Sequence, residues 1–568
     1  MAGVEPGSSF ESARSADWAR SLVATARTWL AGDPDPADRA EIEALLHAAA
    51  WAQLADRFAG PLRFGTAGLR GPLRAGPNGM NTAVVRRAAA GLAAWLAEDW
   101  SGRAPRTVVI GFDGRHRSGA FARDSARVFA AAGLRALVLP EPVPTPVLAF
   151  AVRHLDADAG VMVTASHNPA TDNGYKVYLG GPPRDAGRGA QLVSPADKQI
   201  EDAIAATPPA MRIPLADTWI QLGDEIVAAY VTAAAAPTTA DPPPYRPRIA
   251  YTPLHGVGLG VLRRIFAAAG LPEPAVVAEQ AEPDPDFPTA KFPNPEEPGV
   301  MDLALALGER IGADVVLAND PDADRLAVAV GRRILTGDEL GLLLADEVLR
   351  HVTGPVASTV VSSTALRTLA ARRGVRYAAT LTGFKWIMRA DPGLVFGYEE
   401  ALGYAVRPDL VRDKDGLTAA VAVARMAAAE AAHDRTLLDR LDDLTRELGA
   451  PATAQVSIRV PDLAASTALM HRLRTSPPTT IGGLRICSVR DLMISEGEPL
   501  PTSDVLIFNL EEGARIVFRP SGTEPKLKIY LEASAPMTVA GSLAALQGPA
   551  QAQDRLVDLQ SWARSISA

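Results

Sequence analysis

Short apolar runs recur along most of this chain, and each ends in a polar or glycine-bearing turn. Thr107-Val108-Val109-Ile110-Gly111-Phe112 runs into Asp113-Gly114-Arg115, and Gly160-Val161-Met162-Val163 runs into Thr164-Ala165-Ser166-His167-Asn168-Pro169. Runs of this length, separated by helix-length segments such as Ser118–Ala132, predict buried strands in βαβ units. The strand Leu134–Val138 continues the first unit. A second unit opens at Arg248–Pro253 and runs through Asp314–Ala318 to about residue 352. A third opens at Pro355, with a strand over Ser358–Val361, and reaches about residue 449. Beyond it the strands shorten (Ala454–Val460, Val505–Asn509, Arg515–Phe518, Leu527–Glu532) and helices thin out, which predicts a smaller α+β unit. The expected class is α/β, with mostly parallel sheets.

The expected division is a helical lead-in at 1–60, then units at 61–240, 241–352, 353–449 and 450–568. The lead-in carries an apolar face of Trp18, Leu22, Ala26 and Trp29, and Pro237–Pro247 reads as a linker. At 568 residues the chain is too long for one core.

Composition narrows the function classes. Apolar residues make up 48% and charged residues 21%, as in soluble globular proteins. A net charge of −8 gives no electrostatic case for nucleic acid or an anionic membrane. One cysteine, Cys487, excludes an internal disulfide and a cysteine metal cluster. Met1–Arg20 lacks the apolar segment of a signal peptide, and no long uncharged apolar run predicts a membrane span. A cytoplasmic location is expected; the oligomeric state is not legible. Only seven lysines stand among 57 basic residues. Where arginine would serve, this chain uses arginine, so a retained lysine points to a compact, deprotonatable ammonium.

Four motifs carry candidate chemistry. Ser166 beside His167, on a turn that Pro169 keeps irregular, is a candidate nucleophile or phosphate carrier, although an ordinary polar turn has the same composition. Asp320-Pro321-Asp322-Ala323-Asp324-Arg325 follows an apolar run and sets three carboxylates at alternate positions, able to converge on a cation. An EF-hand is excluded, because its sixth position is Arg325 and its twelfth Gly331. Mg2+ suits phosphate chemistry at such a site. Gly397-Tyr398-Glu399-Glu400-Ala401-Leu402-Gly403 pairs acids suited to sugar hydroxyls, and adjacent acids on one loop do not fit a glycosidase. Phe518-Arg519-Pro520-Ser521-Gly522-Thr523-Glu524-Pro525-Lys526 gathers cations, hydroxyls and backbone N–H groups into an anion cradle, or a plain hairpin. Gly256-Val257-Gly258-Leu259-Gly260 imitates a dinucleotide fingerprint with the wrong spacing.

Taken in order, the four motifs resemble the α-D-phosphohexomutase superfamily, the phosphoglucomutases and phosphomannomutases, over about residues 60–532. Phe64–Gly71, Phe292-Pro293-Asn294-Pro295-Glu296-Glu297 and Asn319–Asp322 look like the phosphoglucomutase/phosphopentomutase branch. The resemblance implies a heart of four domains, three α/β and one smaller α+β. It implies a mutase that interconverts hexose 1- and 6-phosphates, glucose first, then mannose or pentose, with glucose 1,6-bisphosphate as intermediate and activator. Ser166 would be the phosphoserine, holding Mg2+ together with Asp320, Asp322 and Asp324. His167, Lys176 and Lys414 would orient groups or shuttle protons, with Arg70 and Arg325 as cleft cations. Gly383 and Lys385 match a loop that senses sugar orientation, and Glu399 matches the sugar-hydroxyl ligand. Arg519, Ser521, Gly522, Thr523 and Lys526 match the distal phosphate cradle. Ala401 departs from the family, where many members carry Ser or Asn; this keeps pentose phosphates in play. A sugar phosphatase and a non-catalytic sugar-phosphate binder are the readings from other classes.

Overall fold

In the computed structural model the chain is described over residues 7–63, 68–98, 106–182, 185–236, 245–449, 451–494, 496–521, 526–534 and 543–566. Residues 64–67, most of the Pro-rich linker, and Gly522 with Thr523 lie outside the described residues.

The predicted strands gather into four sheets. The first orders Leu69–Pro72, Asp172–Leu179, Ala159–Val163, Thr107–Phe112, Arg135–Val138 and Ile220–Gln221. The second orders Arg333–Ile334, Leu326–Val330, Val315–Asn319, Ile249–Thr252 and Ala275–Val276. The third orders Tyr377–Thr380, Val356–Thr359, Phe396–Glu399 and Gly403–Ala405. The fourth is antiparallel, from Ala452–Arg459 through Lys526–Ala533, Arg515–Pro520, Leu506–Leu510 and Leu484–Asp491 to Thr480–Ile481. Its core takes in Leu469, Met470 and Leu473 from one helix and Leu556 and Leu559 from another.

The first three sheets are parallel from the centre to one edge and antiparallel toward the other. Ala159–Val163 returns antiparallel as Asp172–Leu179, Val315–Asn319 as Leu326–Val330, and Phe396–Glu399 as Gly403–Ala405. Crossover grammar alone does not predict these returns, because a βαβ pattern announces the parallel strands and not a hairpin that follows one of them. The returns matter for the site. Ser166, Asp320–Asp324 and Glu400–Ala401 all sit in the loops of these hairpins, and Ser521 begins a hairpin loop of the fourth sheet, closed by Ser521 N donating to Lys526 O at 2.9 Å.

One apolar cluster runs from Val109 through Leu317 and Phe396 to Leu448, so the first three units share a core and hold their loops in fixed register. A smaller cluster sets Val360, Val361 and Leu381 against Leu492, Val505, Ile507, Val517 and Tyr530 of the fourth sheet. It explains one displaced element. The strand expected over Ser358–Val361 is Val356–Thr359, because Val360 and Val361 leave the sheet to pack against the last unit. In the lead-in helix Gly7–Gly32, Leu22 and Ala26 are buried against Ile42, Leu54 and Ala75, whereas Trp18 is 49% exposed and does not belong to the apolar face. Gly256 packs so closely that a Cβ there would lie 2.3 Å from Pro321 Cα. Gly256 and Gly258 of the false fingerprint thus seat the acidic loop, whose Pro321 and Ala323, respectively, a Cβ at these positions would meet.

Candidate functional site

Three of these hairpin loops and the strands Arg515–Pro520 and Lys526–Ala533 of the fourth sheet meet at one cleft. A cavity of about 200 Å³ is lined by Arg70, Ser166, Lys176, Asp324, Arg325, Gly383, Glu399, Lys414, Arg519 and Lys528, among others. It adjoins a larger cavity of about 1000 Å³, bounded by His167, Glu296, Arg515 and Lys526, and the two share Arg325, Glu400, Ala401, Lys528 and Tyr530.

Ser166 is 1% exposed and adopts φ +53°, an uncommon left-handed conformation for a residue with a side chain. Its Oγ donates to Asp320 Oδ2 at 2.8 Å and lies 3.2 Å from His167 Nδ1. Burial, then the charges of Arg325 and Arg70, push the His167 imidazole well below its ordinary pKa, so it is neutral at pH 7.

Asp320, Asp322 and Asp324 are each at most 1% exposed, and one oxygen from each lies within 4.8 Å of the others. Asp320 Oδ1 accepts the Arg325 N–H at 3.0 Å, and Asp322 Oδ2 accepts Thr145 Oγ1 at 2.6 Å. Lys176 Nζ donates to Asp322 Oδ2 at 2.7 Å and to Asp324 Oδ2 at 2.9 Å. Asp322 Oδ1 and Asp324 Oδ1 are buried with no hydrogen-bond partner among the described residues. Buried carboxylate oxygens without donors are costly, and a divalent cation with hard-oxygen preference satisfies them. The donor set therefore fits Mg2+.

Lys176 and Lys414 are held charged. Burial pulls Lys176 down, but Asp322 and Asp324 outweigh it and leave the ammonium above its ordinary pKa. Lys414 is raised in the same way, against its own burial, by Asp324 and Asp413, each 3.4 Å from Nζ. Lys176 and Lys414 therefore depart from the expectation of a readily deprotonated ammonium, whereas burial lowers Lys528 and Lys385 in the expected direction; at Lys176 compactness counts, since three donors on one atom fit between buried carboxylates.

Arg70 donates to Asn168 Oδ1 at 3.2 Å, across the mouth of the Ser166 loop. Arg325 donates to Ala401 O at 2.8 Å and pairs through its backbone with Gly403, tying the acidic loop to the sugar-type loop. Of the paired acids, Glu399 lines the smaller cavity, while Glu400 accepts Ser362 Oγ at 3.0 Å and Thr359 Oγ1 at 3.2 Å. Gly383, at φ +109°, lines the cavity. Lys385 lines neither cavity; it is 7% exposed, and the charges acting on it are Asp197 and Arg389.

Two contributors were not read from sequence. Lys528 pairs with Arg519 across the ladder and lines both cavities. Strand alternation carries the signal, since 526, 528 and 530 share one face. Thr145, the hydroxyl on Asp322, comes from the helix Thr145–His154 and has no local signature.

Glu400 supplies a pH-dependent prediction. Burial and the neighbouring Glu399 and Asp338 push its carboxyl up to about 7 from 4.5. The folded chain therefore binds this proton more tightly than the unfolded chain, and the group costs stability as pH rises from 4.5 through about 7. Glu400→Gln should raise the thermal midpoint relative to wild type at pH 8 and change it little at pH 5. An equal shift at both values would contradict the assignment.

The chain matches known proteins over most of its length. Family models described as "Phosphoglucomutase/phosphomannomutase" match in chain order: alpha/beta/alpha domain I at 61–210, domain II at 228–333, domain III at 336–448, and the C-terminal domain at 456–545. A "Probable phosphomannomutase" of Haemophilus influenzae is 46% identical over 465 residues, covering 80% of this chain and 93% of its own. A "Phosphopentomutase" of Mus musculus is 34% identical over 571 residues, covering 89% of each. The crystal structure of a phosphoglucomutase/phosphomannomutase family protein from Burkholderia thailandensis shares the fold, with a TM-score of 0.64 at 20% identity over 88% of this chain and 97% of its own.

Proposed function

Because this chain belongs to the phosphoglucomutase/phosphomannomutase family and is a phosphosugar mutase, we propose that it moves phosphate between the C1 and C6 hydroxyls of a hexose, glucose first, with Ser166 as carrier. The observation that carries this reading is the 2.8 Å contact between Ser166 Oγ and Asp320 Oδ2, which joins a nucleophile from one unit to an acidic cluster from the next. A simple binder needs neither, and a phosphatase needs water where this cleft presents a second set of cations.

Asp320, Asp322 and Asp324 would hold Mg2+, which when bound neutralises charge on a transferring phosphoryl group. The chain's own groups do the rest. Lys176 stays protonated against Asp322 and Asp324 and keeps positive charge beneath the reacting phosphate. Arg70 and Arg325 line the cavity beside Ser166 and fit non-bridging phosphate oxygens. Neutral His167, next to Ser166 Oγ, suits proton exchange with a sugar hydroxyl. Glu399 suits the sugar hydroxyls. Arg519, Ser521 and Lys526, joined by Lys528 and with Gly522 and Thr523 between them, suit the phosphate that is not reacting. A bisphosphate that exchanges its two ends needs these two unlike sites, one acidic and metal-binding, one cationic.

A second reading rests on a specific residue. Ala401 offers the cleft no side-chain hydrogen bond, and its carbonyl is taken by Arg325. A site with one sugar contact fewer tolerates a pentose, so ribose 1-phosphate is the second candidate. A coupled assay over glucose, mannose and ribose 1-phosphates decides between them: the highest kcat/KM on glucose supports the first reading, and on ribose the second.

Removing the holding end should separate mutase from release. Arg519→Ala with Lys526→Ala should raise KM at least about tenfold, since hydrogen bonds to charged groups contribute roughly 1.5–3 kcal/mol each. It should also let bisphosphosugar escape into solution and make activity depend more on added glucose 1,6-bisphosphate. Wild-type KM without extra bisphosphate release would reduce this loop to a hairpin.

A further inference from the structure

Asp113-Gly114-Arg115 ends the strand Thr107–Phe112, which lies parallel to Ala159–Val163, so this turn and the Ser166 loop leave the sheet side by side. Arg115 is 4% exposed. A guanidinium buried this deeply costs several kcal/mol unless its N–H groups are taken up. They are taken up almost entirely by one loop. Nη1 donates to Pro169 O at 2.8 Å and Asp172 O at 3.1 Å, and Nη2 donates to Ser166 O and Asn168 O, both at 2.6 Å. All four acceptors are backbone carbonyls, one of the nucleophile itself and three of the segment that follows it.

The guanidinium is itself fixed. Asp113 Oδ2 lies 3.4 Å from its Nε, and Asp113 Oδ1 accepts the Arg115 N–H at 3.0 Å and Ser118 Oγ at 2.7 Å. On its other side the guanidinium carbon sits 4.8 Å from the Phe287 ring centre, in the second unit. The return strand is held to the same turn, with Asn173 Nδ2 donating to His116 O and Ser118 Oγ, both at 2.9 Å. A left-handed non-glycine residue such as Ser166 costs about 1–3 kcal/mol and persists only where its surroundings over-determine it. Among these contacts Arg115 alone touches the Ser166 carbonyl, the far end of the loop and the second unit that supplies Asp320.

We propose that Arg115 is a positioning residue: its two terminal nitrogens gather the carbonyls of residues 166–172 and set where Ser166 Oγ stands relative to the acidic cluster. The proposal rests on the reading of Ser166 as phosphate carrier. Lysine keeps the charge but not the planar fork, so it cannot serve carbonyls that approach two nitrogens separately.

The test uses the full chain. Arg115→Lys should lower kcat on the order of 10²-fold, the penalty of a displacement near 1 Å at a reacting group, with KM for sugar phosphate within about threefold. A larger share of phosphoenzyme should be lost to water, read as free phosphate per mutase turnover. In Arg115→Ala, added guanidinium ion should restore part of kcat, and methylammonium should not. A kcat within about threefold of wild type in Arg115→Lys overturns the proposal, as does a fall matched by KM or equal rescue by both cations. If neither variant folds, Arg115 is a folding determinant and the proposal also falls. Intact mass keeps the two claims apart: wild type that never carries phosphate on Ser166 removes the underlying reading, whereas phosphorylated wild type with an unaffected Arg115→Lys removes only this inference.

Discussion

Ser166→Ala should abolish mutase turnover, a loss on the order of 10⁴-fold or more, because uncatalysed phosphoryl transfer is among the slowest of reactions. Substrate should still bind. The cations suited to phosphate, Arg70, Arg325, Arg519 and Lys528, line the cavity independently of the serine hydroxyl. The hydroxyl donates to Asp320 Oδ2 at 2.8 Å from a left-handed turn, and the residue is 1% exposed, which supports the carrier reading. His167 is the adjacent nucleophile, and its Nδ1 lies 3.2 Å from Ser166 Oγ. Coupled-assay kcat and calorimetric binding on the same variant check both halves. Residual turnover within tenfold of wild type, on the order of 1.4 kcal/mol in barrier, would end the carrier role.

Asp322→Asn should cut kcat by about 10²–10³-fold with a small change in KM, since charge at the metal position matters most as the phosphoryl group transfers. Asp322 is the informative choice of the three acids. Its Oδ2 takes Thr145 and Lys176, while its Oδ1 is buried without a donor. An amide preserves the first contacts in part and presents the second position with a neutral group. Wild type should lose activity in EDTA and regain it on adding Mg2+, and the variant should need more Mg2+ for half-maximal rate. Activity untouched by EDTA contradicts the metal assignment outright.

Much of this site was legible because its chemistry is concentrated in contiguous words. Asp320, Asp322 and Asp324 alternate along one segment, and the structure buries all three together. What stayed hidden depends on contacts distant in sequence. Arg115 lies 51 residues before the Ser166 carbonyl it binds. Thr145 lies 177 residues before Asp322. Neither has a local signature, since an Asp-Gly-Arg turn and a Thr-Pro helix start are common. Lys385 differs from the rest of its motif: Thr382, Gly383 and Phe384 line the smaller cavity and Lys385 does not. The antiparallel returns were missed for a related reason. A short edge strand such as Gly403–Ala405 carries too few residues to show a period.

The central claim is that phosphate travels through Ser166, and labelled phosphate tests it most directly. Wild-type chain mixed with bisphosphosugar carrying ³²P, quenched at successive times and digested, should yield one labelled peptide spanning Thr164–Lys176. The label should appear on Ser166 and leave on chasing with unlabelled sugar monophosphate, at a rate no slower than kcat. Label on another residue, or label on Ser166 that exchanges more slowly than turnover, would contradict the account.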